Sequence, residues 1–531
     1  DNDFVTIKGA KFNAKFDAKT GIINSLKYGN NEVIKNGNGP KLNAIRAFVN
    51  NDVWIYQKWF KYGLHNLQPT VKSFDVKRQN NSILVRFKVD YQAPNSAKIH
   101  GGTDSGRNRI EELKNKPFDK KDLKFMTEQF YTIYADGTID LQTAISSNKS
   151  NVILPRLGYQ LKFDKTYDNI TYYGRGEVDN YPDRKSGQFI GVYSSRFEKQ
   201  MCNFPKPQDM GNHQDVRWAS VTNKVRDGVI FVPNQPISIT ALPYSAIDLI
   251  SAPHPYQLPK SKYNYLNLDI AINGLGGASC GQGGPLAHDQ IRTGAHVMGF
   301  MIRPIRNGNF NGQANVSSAP LPIVAMSRDT YGKLTLKTFA TNEKIIYKVN
   351  DEKPEKYKNL PINFKNGGQI SAWFKSNPTI KSTYHFDKIE YIPLTVVYAS
   401  SEEVRANGNA SNLVDNNEES IWHTAYSVTV SKYPHWVDFD AGDKRTIKGF
   451  VYLPRQSGGN NGNVKEYEIY ISQDGKNWGT PIIKSSFANN RDEKKVLFKK
   501  PVKARYIRFT ALSAQNEQDF ASGSEFRIIA E

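Results

Sequence analysis

Cys202 and Cys280 are the only thiols in a chain of 531 residues. So far apart in sequence, they make neither a disulfide framework nor the paired spacing of a zinc site. The plain reading is two partly buried thiols, with one structural disulfide open to them in an oxidising compartment. Chemically richer is Arg175-Gly176-Glu177-Val178-Asp179-Asn180-Tyr181-Pro182-Asp183-Arg184, where carboxylates and guanidinium groups crowd into one short run. Asp183 and Arg184 are expected to pair and stiffen it. Gly174, Gly176, Gly276 and Gly277 let the backbone turn tightly or approach a neighbour. The plainer alternative is that these charges form an internal salt-bridge network. Lysine and arginine total 71 against 51 acidic residues, a formal charge of +20. They are spread along the whole chain, and the densest stretch, 114–124, is mixed with acids, so a solvated surface is expected. No zinc-finger, helix-turn-helix or RNA-binding signature accompanies them, which argues against nucleic acid.

The elements that must position these residues read as strands. Aromatic residues make up 12% of the chain, beside 39 Gly and 26 Pro, a mixture that favours β-structure. Alternating runs recur at 4–7, 82–89, 129–134 and 228–232, separated by turn signals such as Ala135-Asp136-Gly137-Thr138. One short helix is expected at 110–116, inside a polar surface insertion from 96 to 122. The Asn-, Gly-, Ser- and Pro-rich segment from 307 to 322 reads as a linker. Strands resume at 333–339, 344–349 and 369–374, and again at 435–439, 467–471 and 506–510. The expected domains are 1–305, 306–394 and 395–531. No apolar stretch approaches the ~20 residues of a membrane helix. The chain opens on Asp-Asn-Asp-Phe, with no initiator Met and no signal peptide, as expected of a processed or truncated start.

Composition stops at a multidomain β-protein, and motifs go further. The run Arg175 to Arg184 resembles a signature of the β-galactosidases in family 2 of the glycoside hydrolases. In order, three more segments are similar to that family: Arg46-Ala47-Phe48-Val49-Asn50-Asn51-Asp52, Pro207-Gln208-Asp209 through Arg217-Trp218, and Leu268-Asp269 with Gly274 to Gly281. The resemblance implies a large, mutarotase-like β-sandwich that packs beside a catalytic barrel and lends loops to its rim. Arg175, Glu177, Asp183, Arg184, His213 and Cys280 are the implied active-site-wall candidates. Cys280 stands where the family has a Trp of the sugar platform, and losing that aromatic face costs about 1 kcal/mol of stacking.

The same resemblance exposes what is missing. Retaining glycosidases need two carboxylates about 5–5.5 Å apart, and in family 2 both are glutamates of a (β/α)8 barrel. The chain has no strand–helix alternation over the ~250 residues that a barrel needs. No catalytic residue is therefore assigned, and the chain alone is expected to be inactive. The implied partner is a catalytic barrel, in the same enzyme or in a separate large subunit. A mutarotase-like (aldose 1-epimerase) activity is the lesser alternative, with His213, His254 and Glu177 as the available acid–base types.

The segment 340–354 is similar to a small, immunoglobulin-like β-sandwich module of hexosaminidases, and implies a spacer. The last unit resembles family-32 carbohydrate-binding modules, the discoidin or coagulation-factor type C fold. The resemblance rests on Asn412 to Thr424, Pro434-His435-Trp436, Tyr452-Leu453-Pro454-Arg455-Gln456, Asn461 to Tyr470, and Ala521-Ser522-Gly523-Ser524-Glu525-Phe526. It implies a structural calcium held by Asp415, Asn417, Ser420, Glu525 and the Leu413 carbonyl, an oxygen-only set suited to a hard cation. Asn416 replaces the usual Gly there, and Asn tolerates a left-handed backbone. It also implies a galactose pocket in which His423, Arg455 and Asn461 hydrogen-bond hydroxyls and Phe520 stacks on the ring. Trp422 and Trp436 are expected in the core.

The expected fold class is all-β: a mutarotase-like large β-sandwich, a small β-sandwich, and a discoidin-type jelly roll at the end. The expected function is the C-terminal accessory portion of a periplasmic or secreted bacterial family 2 β-galactosidase that binds galactose-containing glycans. A stand-alone sugar-binding protein is the alternative class. The charge of +20 adds a weaker expectation that the glycan is acidic.

Overall fold

Phe12–Asp17 buries every second residue, Phe12, Ala14 and Phe16, and this alternation is the rule from which the molecule is built. The computed structural model describes residues 3–102, 106–276, 284–315, 321, 323–339, 342–456 and 458–530. Contacts divide the chain into two compact units. One holds Asp1–Arg328, Leu334–Ile362 and Gly368–Phe386; the other holds Asp329–Lys333, Asn363–Gly367 and Asp387–Glu531.

A nine-stranded antiparallel sheet dominates the first unit. In spatial order it runs Phe189–Arg196, Asn169–Gly176, Trp218–Thr222, Gly228–Pro233, His296–Ile305, Ile139–Ser147, Phe125–Tyr134, Ser82–Gln92 and Gln68–Arg78. A five-stranded sheet is ordered Asn212–Val216, Ile237–Leu242, Tyr263–Ile272, Arg156–Asp164 and Lys41–Asn43. Tyr159 of the smaller sheet meets Phe300 of the larger edge to face at 6.0 Å, and Phe231 meets the same Phe300 at 6.0 Å, so aromatic rings fill the space between the layers.

The segment expected as a helix at 110–116 is instead the strand Arg109–Pro117, paired antiparallel with Asn95–His100 through Ile99↔Ile110. Its partner strand, not its own polar composition, decides its state. Inside the expected linker, Asn309 caps a short helix, Phe310–Ala314, by accepting the Gly312 N–H at 3.2 Å. The strands after it form two small sheets of three and four strands. Buried Glu128 of the nine-stranded sheet accepts the Thr383 N–H at 3.1 Å and pairs with Arg86 and Lys88 at 3.1 and 3.2 Å.

The second unit is built on a seven-stranded sheet ordered Tyr391–Ile392, Glu525–Ala530, His435–Leu453, Lys494–Ala511, Glu466–Ser472 and Ile483–Ser486. Thr395–Ala399 pairs with His435–Leu453 as the seventh strand. Phe439, Phe450, Tyr452, Tyr467, Phe509 and Phe526 make its core. Trp422 is fully buried and donates Nε1–H to the Ser401 carbonyl at 3.0 Å. Trp436 departs from expectation: it is half-buried, and the Arg508 guanidinium lies 5.3 Å from its ring. The bidentate pair between Arg508 and Asp438 (2.6 and 2.8 Å) fixes that cation over the indole.

Candidate functional site

The four motifs of the first unit converge on one buried ionic network. Arg46 clasps Asp52 with two bonds of 2.7 and 3.0 Å, and Asp52 also accepts the Val49 N–H at 2.8 Å. Tyr181 donates its hydroxyl to Asp209 at 2.7 Å. Arg156 lies 3.7 Å from Asp209 and 3.4 Å from Asp269. Burial, relieved in part by Arg156 and reinforced by Asp209, pushes the Asp269 carboxyl up to about 7. Arg46, Asp52, Arg156, Asp209 and Asp269 are all buried, so the network serves the fold and offers no face to a ligand. Arg156, which joins two of the motifs, lies in none of them.

The wall candidates separate into two groups. His213 is buried; its Nε2 meets Gln200 Oε1 at 2.6 Å and its Nδ1 meets the Tyr172 hydroxyl at 2.9 Å. Burial pushes its imidazole down to about 4, so it is neutral. Glu177, Asp183 and Arg184 are exposed. Asp183 and Arg184 do not share the expected pair. Arg184 instead joins Asp179 at 3.2 Å, while Asp183 accepts the Gly276 N–H at 2.8 Å and so ties the two loops together. Arg175 pairs with Asp215 at 2.5 Å and donates to the Gln188 carbonyl at 2.8 Å. A Cβ at Gly176 would sit 2.3 Å from the Tyr172 hydroxyl, so only glycine fits. Cys280, with Gly277 and Gly281, lies outside the described residues. Cys202 is half-buried, and burial pushes its thiol up to about 11, which makes it a poor nucleophile at neutral pH. The exposed His254 stacks on Tyr256 at 5.3 Å.

In the second unit the expected pocket residues do come together. His423 Nδ1 lies 2.7 Å from the Thr424 carbonyl, which can only accept, so the proton sits on Nδ1 and Nε2 is left as an acceptor. Asn461 donates to that Nε2 at 3.2 Å. The Phe520 ring lies 5.3 Å from the imidazole. Arg455 is half-buried, and its charge, after burial itself, helps hold the His423 imidazole below its ordinary value. A Cβ at Gly462 (φ +77°) would crowd the Ala521 backbone at 2.9 Å, so glycine lets the Asn461 loop lie against Ala521 and Ser522.

Two contributors escaped the sequence reading. Tyr426 meets His423 edge to face at 5.0 Å and stands 6.4 Å from Phe520, adding a third aromatic wall. Its place just after His423-Thr424 was the available signal. Glu403 is buried and accepts the N–H groups of Tyr426 and Ser427 at 2.7 and 2.8 Å and the Ser427 hydroxyl at 2.6 Å. Those bonds hold its carboxyl down at about 2. No local pattern marks it, because its partners lie well downstream.

Three of the expected cation ligands meet in one loop. Asp415 accepts the Asn417 N–H at 2.9 Å and the Ser420 hydroxyl at 2.7 Å. Asn416, between Asp415 and Asn417, has φ +58°, the left-handed backbone expected of a Gly substitute. Leu413 lies in the turn Ala410–Val414 just before the loop. Glu525 is fully buried, and neither of its carboxylate oxygens has a hydrogen-bond partner of normal geometry. Burial, opposed by Arg527 (3.4 Å) and reinforced by the Asp415 charge, pushes it up to about 8. Among the described residues no three His, Cys, Asp or Glu side chains cluster as a metal site. The set here is two carboxylates completed by amide, hydroxyl and carbonyl oxygens. An orphaned buried carboxylate beside such oxygens fits a hard cation.

Fold and site define an all-β chain of several sandwiches whose last module gathers an imidazole, an amide and aromatic rings, with a half-buried guanidinium whose charge reaches the imidazole. Residues 8–302 match the family model described as "Beta galactosidase small chain", and residues 397–526 match that of the F5/8 type C domain. The first match spans more than half of the sequence, and the chain belongs to the β-galactosidase small-chain family. It is 26% identical over 275 residues to a β-galactosidase of Priestia megaterium, covering 51% of this chain and 24% of that protein. It is 37% identical over 131 residues to a sialidase of Micromonospora viridifaciens, covering 24% of this chain and 20% of that protein. Among solved structures, the family 32 module of Clostridium perfringens NanJ in complex with galactose is 29% identical, with a TM-score of 0.24, covering 26% of this chain and 97% of that one. The chain spans about a quarter of the length of the curated β-galactosidases it matches.

Proposed function

We propose that this chain is the C-terminal accessory portion of a retaining family 2 β-galactosidase, periplasmic or secreted in a bacterium, and that its last module binds terminal galactose. The observation that carries the reading is the small-chain match over 8–302 in a chain that covers a quarter of its relatives' length. The α-helices among the described residues are Tyr56–Lys61, Ala246–Ser251 and Phe310–Ala314. None of this supplies a (β/α)8 barrel, and the two catalytic glutamates belong to a barrel elsewhere. Exposed Glu177, Asp183 and Arg184, with the tethered Gly276 loop, are the surface that would face it.

At the module pocket, the axial hydroxyl of galactose takes the place of the Asn461 amide as donor to His423 Nε2 and accepts from Arg455. The displaced Asn461 amide holds a neighbouring hydroxyl, and the apolar ring face lies on Phe520 and Tyr426. Calcium at Asp415, Asn417, Ser420, Glu525 and the Leu413 carbonyl would hold the preceding loop rigid and satisfy the buried Glu525. An epimerase reading lacks its acid–base pair, since His213 is buried, neutral and engaged at both nitrogens while Glu177 lies at the surface.

The test is hydrolysis of a chromogenic β-galactoside by the chain alone at high protein concentration, beside a calorimetric titration with galactose. We expect no turnover and saturable binding that is lost in His423→Ala. Turnover that co-purifies with the chain would overturn the assignment of catalysis to a separate barrel.

A further inference from the structure

The cation loop is touched by a turn from far upstream in sequence. Asp329–Lys333 belongs to the same compact unit as the module. Its form is fixed locally: Asp329 Oδ1 accepts the N–H groups of Tyr331 and Lys333 at 2.9 and 2.8 Å, and the Gly332 carbonyl accepts the Phe364 N–H at 2.7 Å. Thr330 at its tip donates its hydroxyl to Asn416 Oδ1 at 2.5 Å. Asn416 is the left-handed residue between Asp415 and Asn417.

We propose that this upstream turn is part of the cation site, with Thr330 pinning the apex of the ligand loop. The proposal rests on the calcium reading above. A bound cation orders the loop through Asp415 and Asn417, and Asn416 passes that order to Thr330. In return the turn holds Asn416 in its left-handed conformation. The metal-binding unit is therefore larger than the module that the motifs outline, and includes residues 329–333.

The test uses the intact chain and two readouts. Amide hydrogen exchange, with calcium and with chelator, is expected to show calcium-dependent protection in 413–420 and in 329–333 together. Calorimetric titration with calcium is expected to give a Kd about threefold to tenfold weaker in Thr330→Val, the loss of one hydrogen bond. Thr330→Ser keeps the wild-type value. Protection confined to 413–420, with Thr330→Val binding as wild type, overturns the proposal and leaves the calcium reading standing. No calcium-dependent change in either segment removes the calcium reading and the proposal with it. The exchange experiment on the wild-type chain decides the matter even where a variant fails to fold.

Discussion

The buried network of the first unit and the pocket of the second are both assembled from motif residues, yet they do opposite things with them. Arg46, Asp52, Asp209 and Asp269 turn inward, where Arg46 pairs with Asp52 and Arg156 lies between Asp209 and Asp269. His423 is buried too, but Arg455 and Phe520 beside it are half-buried and Tyr426 is 46% exposed, so that cluster reaches the surface. The difference teaches that a motif rich in charge marks either an electrostatic keystone or a ligand contact, and that only burial separates the two. A paired ion with no path to solvent cannot change partners when a ligand arrives.

The sharpest way to break this contrast is Arg46→Met. It leaves Asp52 buried without a counter-charge, and the first unit is expected to lose about 3–5 kcal/mol, read by chemical denaturation, with galactose binding unchanged. An unaltered midpoint would mean that the network is idle. Arg455→Ala is expected to do the reverse. Galactose affinity falls roughly 10- to 100-fold with the loss of charge-assisted bonds, while stability moves by less than about 1 kcal/mol. Smallest is the pH effect. Burial, then the Arg455 charge, holds His423 below the ordinary imidazole value of 6.5, and binding needs its neutral Nε2. Galactose affinity should therefore stay flat as pH falls through 6.5 and drop only below it, as titrations across that range would show. His213 gives the first unit a different signature. Its folded value of about 4 lies below 6.5, so the unfolded chain takes up the proton first and stability is lost as pH falls from 6.5 toward 4.

Much of the fold was legible because half-buried strands alternate. Ser82–Gln92 and Glu466–Ser472 announce themselves in sequence. Arg109–Pro117 did not, since its mixed charges carry no period and only pairing with Ile99 and its neighbours makes it a strand. At the site, His423, Asn461 and Phe520 meet as the motif implied. Adjacency misled at Asp183-Arg184, because Tyr181 to Arg184 is a tight turn, closed by the Arg184 N–H on the Tyr181 carbonyl at 2.9 Å, and each side chain found a partner elsewhere. Trp436 misled for a related reason: it shares a strand with core residues but lies on the outer face under Arg508. Glu403 was invisible, because a residue that acts through backbone amides leaves no trace in the sequence of its partners.

Glu403 grips the Tyr426–Ser427 segment by two main-chain N–H groups and one hydroxyl. The side chains at Tyr426, Val428 and Val430, all well exposed, carry no share of that grip. Descent and engineering alike are free to rewrite those three positions without disturbing the scaffold. Tyr426, the one of the three that stands beside His423 and Phe520, is thus an exchangeable wall on a fixed mount, and a library randomised at 426 should yield modules of altered sugar preference and unaltered melting temperature.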